Sequence, residues 1–125
     1  MIEVYSNNID VAQDAAIVWN NVNIKKGCTA ELSAPATINL NKCGVYMVEC
    51  NADPTASTTI QLFKDGVAVP QTESTGVSPA FATLVQVSHD NSCACCASPT
   101  TLQVRNMGTA DATFTAVNLV VTKIC

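Results

Sequence analysis

Residues 38–69 constrain this chain more than any other stretch, because they hold short apolar runs cut by turn chemistry and little that favours a helix. Ile38-Asn39-Leu40 alternates apolar and polar, residues 43–50 form a run rich in Val, Tyr and Met, and residues 58–63 form another. Lys64-Asp65-Gly66 closes that last run and Val67-Ala68-Val69 follows. Glycine after aspartate accepts the positive φ of a tight turn, so a hairpin is expected here.

The rest of the chain keeps the same rhythm. Residues 2–5 alternate, and Ser6-Asn7-Asn8 reads as a break. Asp10 and Asp14 give residues 10–19 a helical start signal, but Asn20-Asn21 stops the run after about two turns, too short for an independent helix. Residues 16–19 are therefore read as a strand. Residues 24–32 read as a loop and a short strand ended by Pro35, and Pro79 opens a strand over residues 80–88. Residues 90–99 are a loop by composition. Leu102 and Val104 alternate inward against Thr101, Gln103 and Arg105, residues 108–111 turn, and residues 113–124 form the last strand. About eight short strands at this spacing predict an all-β antiparallel two-sheet sandwich. Its 125 residues suit one domain.

The last strand is apolar on both sides, with Phe114, Ala116, Val120 and Ile124 on one and Val117, Leu119 and Val121 on the other. Such a strand is normally buried on both sides, yet a two-sheet sandwich covers only one. Either the chain's own N-terminal segment or another subunit covers the second. Composition favours the subunit: hydrophobic residues make up 48% and charged residues 13%, against roughly 25% charged in an ordinary domain. Phe63, Val117, Leu119 and Val121 are the expected oligomer interface. A formal charge of −4 and six basic residues read as dispersed argue against nucleic acid as a partner. No membrane span is present in the sequence, and the first residues lack the basic start and apolar middle of a signal peptide.

The order of these elements resembles the trimeric jelly rolls of the tumour necrosis factor (TNF) and complement C1q type, particularly their bacterial and phage relatives. The residues that carry the likeness are Ile38-x-Leu40 leading into Gly44-Val45-Tyr46, the hairpin over residues 60–66, Leu102-Gln103-Val104-Arg105-Asn106, and the closing run over residues 116–124. They span nearly the whole chain, roughly residues 15–124. The aspartate that commonly precedes the penultimate strand is absent at Thr100-Thr101, and the seven cysteines have no counterpart in the family pattern. The resemblance implies a jelly roll of ten strands or fewer and a three-fold homotrimer.

Little in the sequence supports catalysis. His89 is the only histidine; beside Cys93, Cys95 and Cys96 it could form a base and nucleophile, but neighbours on a loop rarely hold a fixed catalytic geometry. There is no phosphate loop, nucleophile elbow or clustered carboxylate pair. The same four residues have soft-metal ligand chemistry, but their H-x3-C-x-C-C spacing lacks the paired C-x2-C knuckles of structural zinc sites. No cofactor or metal is expected. Turn aspartates at Asp53, Asp65, Asp90 and Asp111 are expected as local hydrogen-bond acceptors and not as calcium ligands.

The cysteines offer disulfides or buried thiols. Cys43 and Cys50 lie seven apart, so on one regular strand they face opposite ways and cannot bond to each other. Cys93, Cys95 and Cys96 are the natural hub, with Cys28, Cys50 and Cys125 as candidate partners in an oxidising setting. A three-fold axis cannot pair a residue with its own copy, so seven cysteines leave at least one thiol free per subunit of a symmetric trimer. The reading is a non-enzymatic trimeric module on a particle surface, a phage capsid decoration or fibre head, with capsid protein as a partner. The alternative is a secreted or spore-surface head that binds carbohydrate or a protein receptor.

Overall fold

The computed structural model describes residues 1–88 and 99–125. Its strands are β1 Ile2–Val11, β2 Asn21–Lys25, β3 Ala30–Ala34, β4 Thr37–Leu40, β5 Gly44–Pro54, β6 Thr58–Lys64, β7 Val67–Ala68, β8 Ser74–Gly76, β9 Ala80–Val87, β10 Thr100–Asn106 and β11 Ala112–Lys123. A 3-10 turn at Pro70–Thr72 is the only helical element among the described residues. Five strands form one antiparallel sheet in the order β2-β1-β11-β5-β9, and six form the other, β3-β4-β10-β6-β7 with β8 also on β6. The two sheets close over one core, so the expected sandwich is present; it has eleven strands against the ten or fewer expected, and two of them, β7 and β8, are short.

The hairpin after β6 stands where the sequence puts it. Asp65 (φ 51°) and Gly66 (φ 81°) are both left-handed, which a two-residue turn matched to the strand twist requires. Asp65 also ties the turn to β10, its carboxylate accepting from Thr101 N at 2.9 Å.

The expected break at Ser6-Asn7-Asn8 is instead a left-handed kink inside one long strand. Asn8 adopts φ 52°, a conformation asparagine tolerates, and lies between the pairs Asn7↔Ala116 and Ile9↔Phe114. Across from it, β11 carries an extra residue against β5 between Phe114 and Ala116. The kink and the extra residue opposite it exchange inside for outside in both strands. Thus β1 buries Ile2, Val4 and Ser6 before the kink and Val11 after it, while β11 buries Phe114 before its bulge and Val117, Leu119 and Val121 after.

This corrects the expected interface. Val117, Leu119 and Val121 are 2%, 0% and 0% exposed in the single chain and belong to the sandwich core. Phe63, on the outer side of the six-stranded sheet, is covered by the chain's own Arg105, whose guanidinium carbon lies 4.2 Å from the ring centroid. Arg105 is held there by Gln103 Oε1, at 3.1 Å from Nη2. A cation over a ring face is favourable, so Phe63 is partnered within its own chain.

Residues 16–19 are not a strand of their own. Only Ala16 bridges, to Arg105, and the segment lies along β10 where β4 has ended: Asp14 N donates to Asn106 O, Asn106 N to Ala15 O and Ile17 N to Val104 O. Those amides are committed to another strand, which is why the apparent helical signal produces no helix. Ser6, buried, fixes the same segment by donating to Val18 O at 2.6 Å and accepting from Asn20 N at 2.9 Å.

Asn106 locks the end of the sandwich opposite the chain termini. Its Oδ1 accepts from Thr58 Oγ1 at 2.8 Å and Gly108 N at 3.2 Å, while Nδ2 donates to Val11 O and Ala110 O, both at 3.1 Å. Four segments thus meet on one buried amide. Removing it leaves those groups unpaired, so Asn106→Ala is expected to lower unfolding stability by about 2–4 kcal/mol in urea denaturation. Leu119→Ala is expected to cost about 2–5 kcal/mol; a change in association state with stability untouched would put Leu119 back at an interface.

Candidate interaction face and the two ends of the sandwich

With Val117, Leu119 and Val121 turned inward, the other side of the five-stranded sheet becomes the outer face. Register places its side chains in rows across the strands. Leu84, Met47 and Thr122 align in one row; Glu49, Val120 and Glu3 in the next; then Asn51, Asn118 and Tyr5; and then Asp53, Ala116 and Asn7. Leu84 is 54% exposed, while Met47, Val120, Asn118 and Tyr5 are half-buried. Tyr5, Asn51, Asp53, Ala116 and Asn118 line a shallow depression of about 210 Å³. Amide, small and apolar side chains form most of this broad, shallow surface.

Glu3 is the one organised charge on it. Its carboxylate accepts from Asn23 Nδ2 at 2.7 Å and from Asn118 Nδ2 at 3.0 Å, and these bonds hold its carboxyl below the usual carboxylate range. Such a surface offers shape, amides and modest apolar area. It suits contact with another protein and lacks the convergent titratable groups that chemistry needs.

The end of the sandwich that holds both termini is built around Tyr46. This fully buried ring sends its hydroxyl to Lys42 O at 2.8 Å and Thr29 O at 3.3 Å, joining the β2–β3 and β4–β5 connections. Burial raises its pKa above the ordinary tyrosine value, so the hydroxyl is a weaker acid than in an exposed tyrosine. Gly44, two residues before, has φ 144°, and a side chain there would run into the Cys125 carbonyl and Lys123. Glycine is required because the C-terminal segment doubles onto β5, Ile124 N donating to Val45 O at 2.8 Å. The Gly-x-Tyr pair therefore has a physical reason: close approach, then a clasp.

Charge is segregated between the ends, contrary to the dispersed reading of the sequence. Lys25, Lys26, Lys42, Lys64 and Lys123, five of the six basic residues, lie at the termini end, because β2, β4, β6 and β11 all finish there. Asp10, Asp14, Asp53 and Asp111 lie toward the opposite end and are exposed. Asp111 there accepts from Gln13 N at 2.9 Å, and Asp10 from Thr113 Oγ1 at 2.7 Å. A hydroxyl-rich recess of about 210 Å³, lined in part by Thr55, Ser57, Thr109 and Thr113, opens beside Asp111.

The cysteine candidates separate. Cys28, Cys50 and Cys125 carry free thiols, which overturns their expected pairing with the hub. Cys50 faces the core with Tyr46 and Val48, walled off from any partner, and burial pushes its thiol far up. Cys28 and Cys125 are exposed, and Cys43, half-buried against the core, is not one of the free thiols. His89, Asp90, Cys93, Cys95 and Cys96 lie outside the described residues. Among the described residues no group of three or more His, Cys, Asp or Glu could hold a metal. Asp65 and Asp111 accept from backbone amides, but from Thr101 and Gln13, distant in sequence, and not locally within their turns as expected, and Asp53 belongs to strand β5 and not to a turn. The outer face escaped sequence reading because a bulge decides which side of β11 is out.

Iodoacetamide is expected to label Cys28 and Cys125 in the native protein and Cys50 only after unfolding, read by mass spectrometry. Folding holds the Tyr46 hydroxyl protonated at pH values where the unfolded chain has begun to ionise, so stability falls as pH rises above about 10. The urea midpoint of Tyr46→Phe is expected to fall less steeply over that range, and an identical slope would mean that Tyr46 ionises as freely folded as unfolded.

Comparison of the sequence with protein-family models and with curated proteins finds no match. Solved structures do match. The globular domain of zebrafish complement 1qA protein superposes with a TM-score of 0.71 at 9% identity, covering 99% of this chain and 96% of that one. The PRD1 vertex protein P5 gives 0.69 at 12% identity, covering 99% and 96%, and murine APRIL gives 0.66 at 12% identity, covering 98% of both chains. At such identities the agreement concerns the path of the backbone over essentially its whole length. The chain has the antiparallel jelly-roll fold of the TNF and C1q type.

Proposed function

We propose that this chain is a non-enzymatic attachment module that assembles as a homotrimer on a particle surface, as a capsid decoration or fibre head of a virion. The observation that carries the reading is the outer face of the five-stranded sheet. It is continuous over β1, β11, β5 and β9 and leaves Leu84, Met47 and Val120 partly open in the single chain. A three-fold contact is heterologous, so this face meets a different surface of the next copy, and its partly open apolar side chains are the part that such a contact covers. The low charged content of the chain, 13%, fits a protein that covers part of its surface by association. The likeness to a phage vertex protein supports the particle setting. The partners are then two further copies and a capsid protein, and the place of action is the virion surface.

A second reading is a secreted or spore-surface head that recognises carbohydrate or a protein receptor. The hydroxyl-lined recess beside Asp111 favours it, since hydroxyls and one carboxylate can exchange hydrogen bonds with a sugar. Capsid or tail genes found beside this one would support the virion reading; a collagen-like Gly-x-y stalk encoded upstream would turn it to the second.

Light scattering is expected to give three times the 13.1 kDa chain mass. Ala116→Arg, which places a long cation on the outer face, is expected to yield single chains with an unchanged strand spectrum. A monodisperse single chain for the unmodified protein removes the trimer, and a trimer indifferent to Ala116→Arg moves the interface elsewhere.

A further inference from the structure

We propose that the termini end of the sandwich is a docking face for an acidic protein surface. Three of its lysines, Lys25, Lys26 and Lys42, stand exposed on turns or strand ends. The other two are fixed in place by backbone carbonyls, Lys64 Nζ on Gln86 O at 2.7 Å and Lys123 Nζ on Cys125 O at 2.8 Å. The Gln86 carbonyl is neutral and orients the Lys64 ammonium without cancelling its charge, and none of the five lysines is paired with a side-chain carboxylate among the described residues. The nearby carboxylates are Asp65, occupied by Thr101 N, Glu31 on the edge strand β3, and Glu3, opposite Ile24 and occupied by Asn23 and Asn118. Five lysines against three carboxylates leave this end positive, on a molecule that is acidic as a whole.

Apolar surface lies inside this charged rim. Met1 is 41% and Ile124 51% exposed, and both line an open recess of about 510 Å³ together with Lys26 and Lys123. An apolar centre with a charged rim is the anatomy of a protein contact, the rim steering and orienting the partner. The chemistry disfavours the other polyanions. All five cations are lysines, which act as hydrated point charges and lack the planar fork that grips phosphate in two places. The net charge of −4 and the aspartates toward the far end repel a stiff polyanion such as duplex DNA, which must run past the patch, more than a flexible acidic polypeptide, which can fold onto it. No aromatic side chain is exposed at this end among the described residues, so the interfacial anchors of a lipid-bound surface are missing. The acidic end then points away from the partner, and charge alone orients the molecule. The inference goes beyond the trimer reading and does not depend on it, because each chain carries the patch whole.

The test is binding of the full chain to immobilised poly-L-glutamate, beside phosphatidylserine vesicles and duplex DNA. Expected is binding to poly-L-glutamate that weakens at least about tenfold when salt rises from about 50 to about 300 mM. The triple variant Lys25→Glu, Lys26→Glu, Lys42→Glu is expected to lose at least about tenfold more, whereas Asp10→Asn, Asp14→Asn, Asp111→Asn stays within about twofold. Circular dichroism establishes that both variants keep the strand spectrum, and the milder triple lysine-to-glutamine variant replaces the first if it does not. Binding that ignores the lysines overturns the proposal, as does tighter binding to the vesicles or to DNA. Loss of the trimer with poly-L-glutamate binding intact would sink the assembly reading alone.

Discussion

The structure depends on one local event, the extra residue of β11 at Thr115 and the left-handed kink at Asn8 opposite it, which lets β1 and β11 change sides together in unbroken register. β11 lies third of five strands, between β1 and β5, and shares long ladders with both. A strand so placed must send one unbroken set of large side chains into the core. Without the bulge, Phe114 and Leu119 would point to opposite faces, and one apolar set would be stranded in water at about 25 cal/mol per Å² exposed. The bulge lets both groups be buried, and the partner kink at Asn8 keeps β1 in step.

The character of the outer face follows from that event. Once Val117, Leu119 and Val121 are inside, the outer side of β11 is Ala116, Asn118, Val120 and Thr122, a mild surface with neither the grease of a core nor the charge of an ordinary exterior. Asn118 and Asn23 then hold Glu3, so even the charge on this face is tied to its neighbours. The two ends are built differently: a buried amide locks one at Asn106, and a buried phenol clasps the other at Tyr46. Polar groups of this kind are satisfied only in one arrangement of the loops, so they select a unique closure of the sandwich as well as stabilising it.

Much of the architecture was legible because strands and turns announce themselves locally. The Asp65-Gly66 hairpin, the alternation of Leu102 and Val104, and the run into Tyr46 are short-range signals, and each lies where it was read. The helical start signal at Asp10 and Asp14 misled for the opposite reason, since the amides of that segment are taken by β10, about ninety residues away in sequence. Phe63 was misplaced for a similar cause. Its apolar character was clear, but its cover is Arg105 on the neighbouring strand, and cross-strand cover is not a property of one run of residues. The cysteines at 28, 50 and 125 could be counted but not paired, because pairing is set by which loops and faces meet.

The sequence by itself determined the class of fold, the hairpin and the scarcity of catalytic groups, because apolar period, turn residues and composition act over a few positions at a time. Only the tertiary structure decided which side of β11 is inside, which thiols are free and how charge divides between the two ends. A single added residue inverts every side chain beyond it, and lysines far apart in the chain converge only when the strands that end in them are laid side by side. Those outcomes are set by register and topology, which no local pattern encodes.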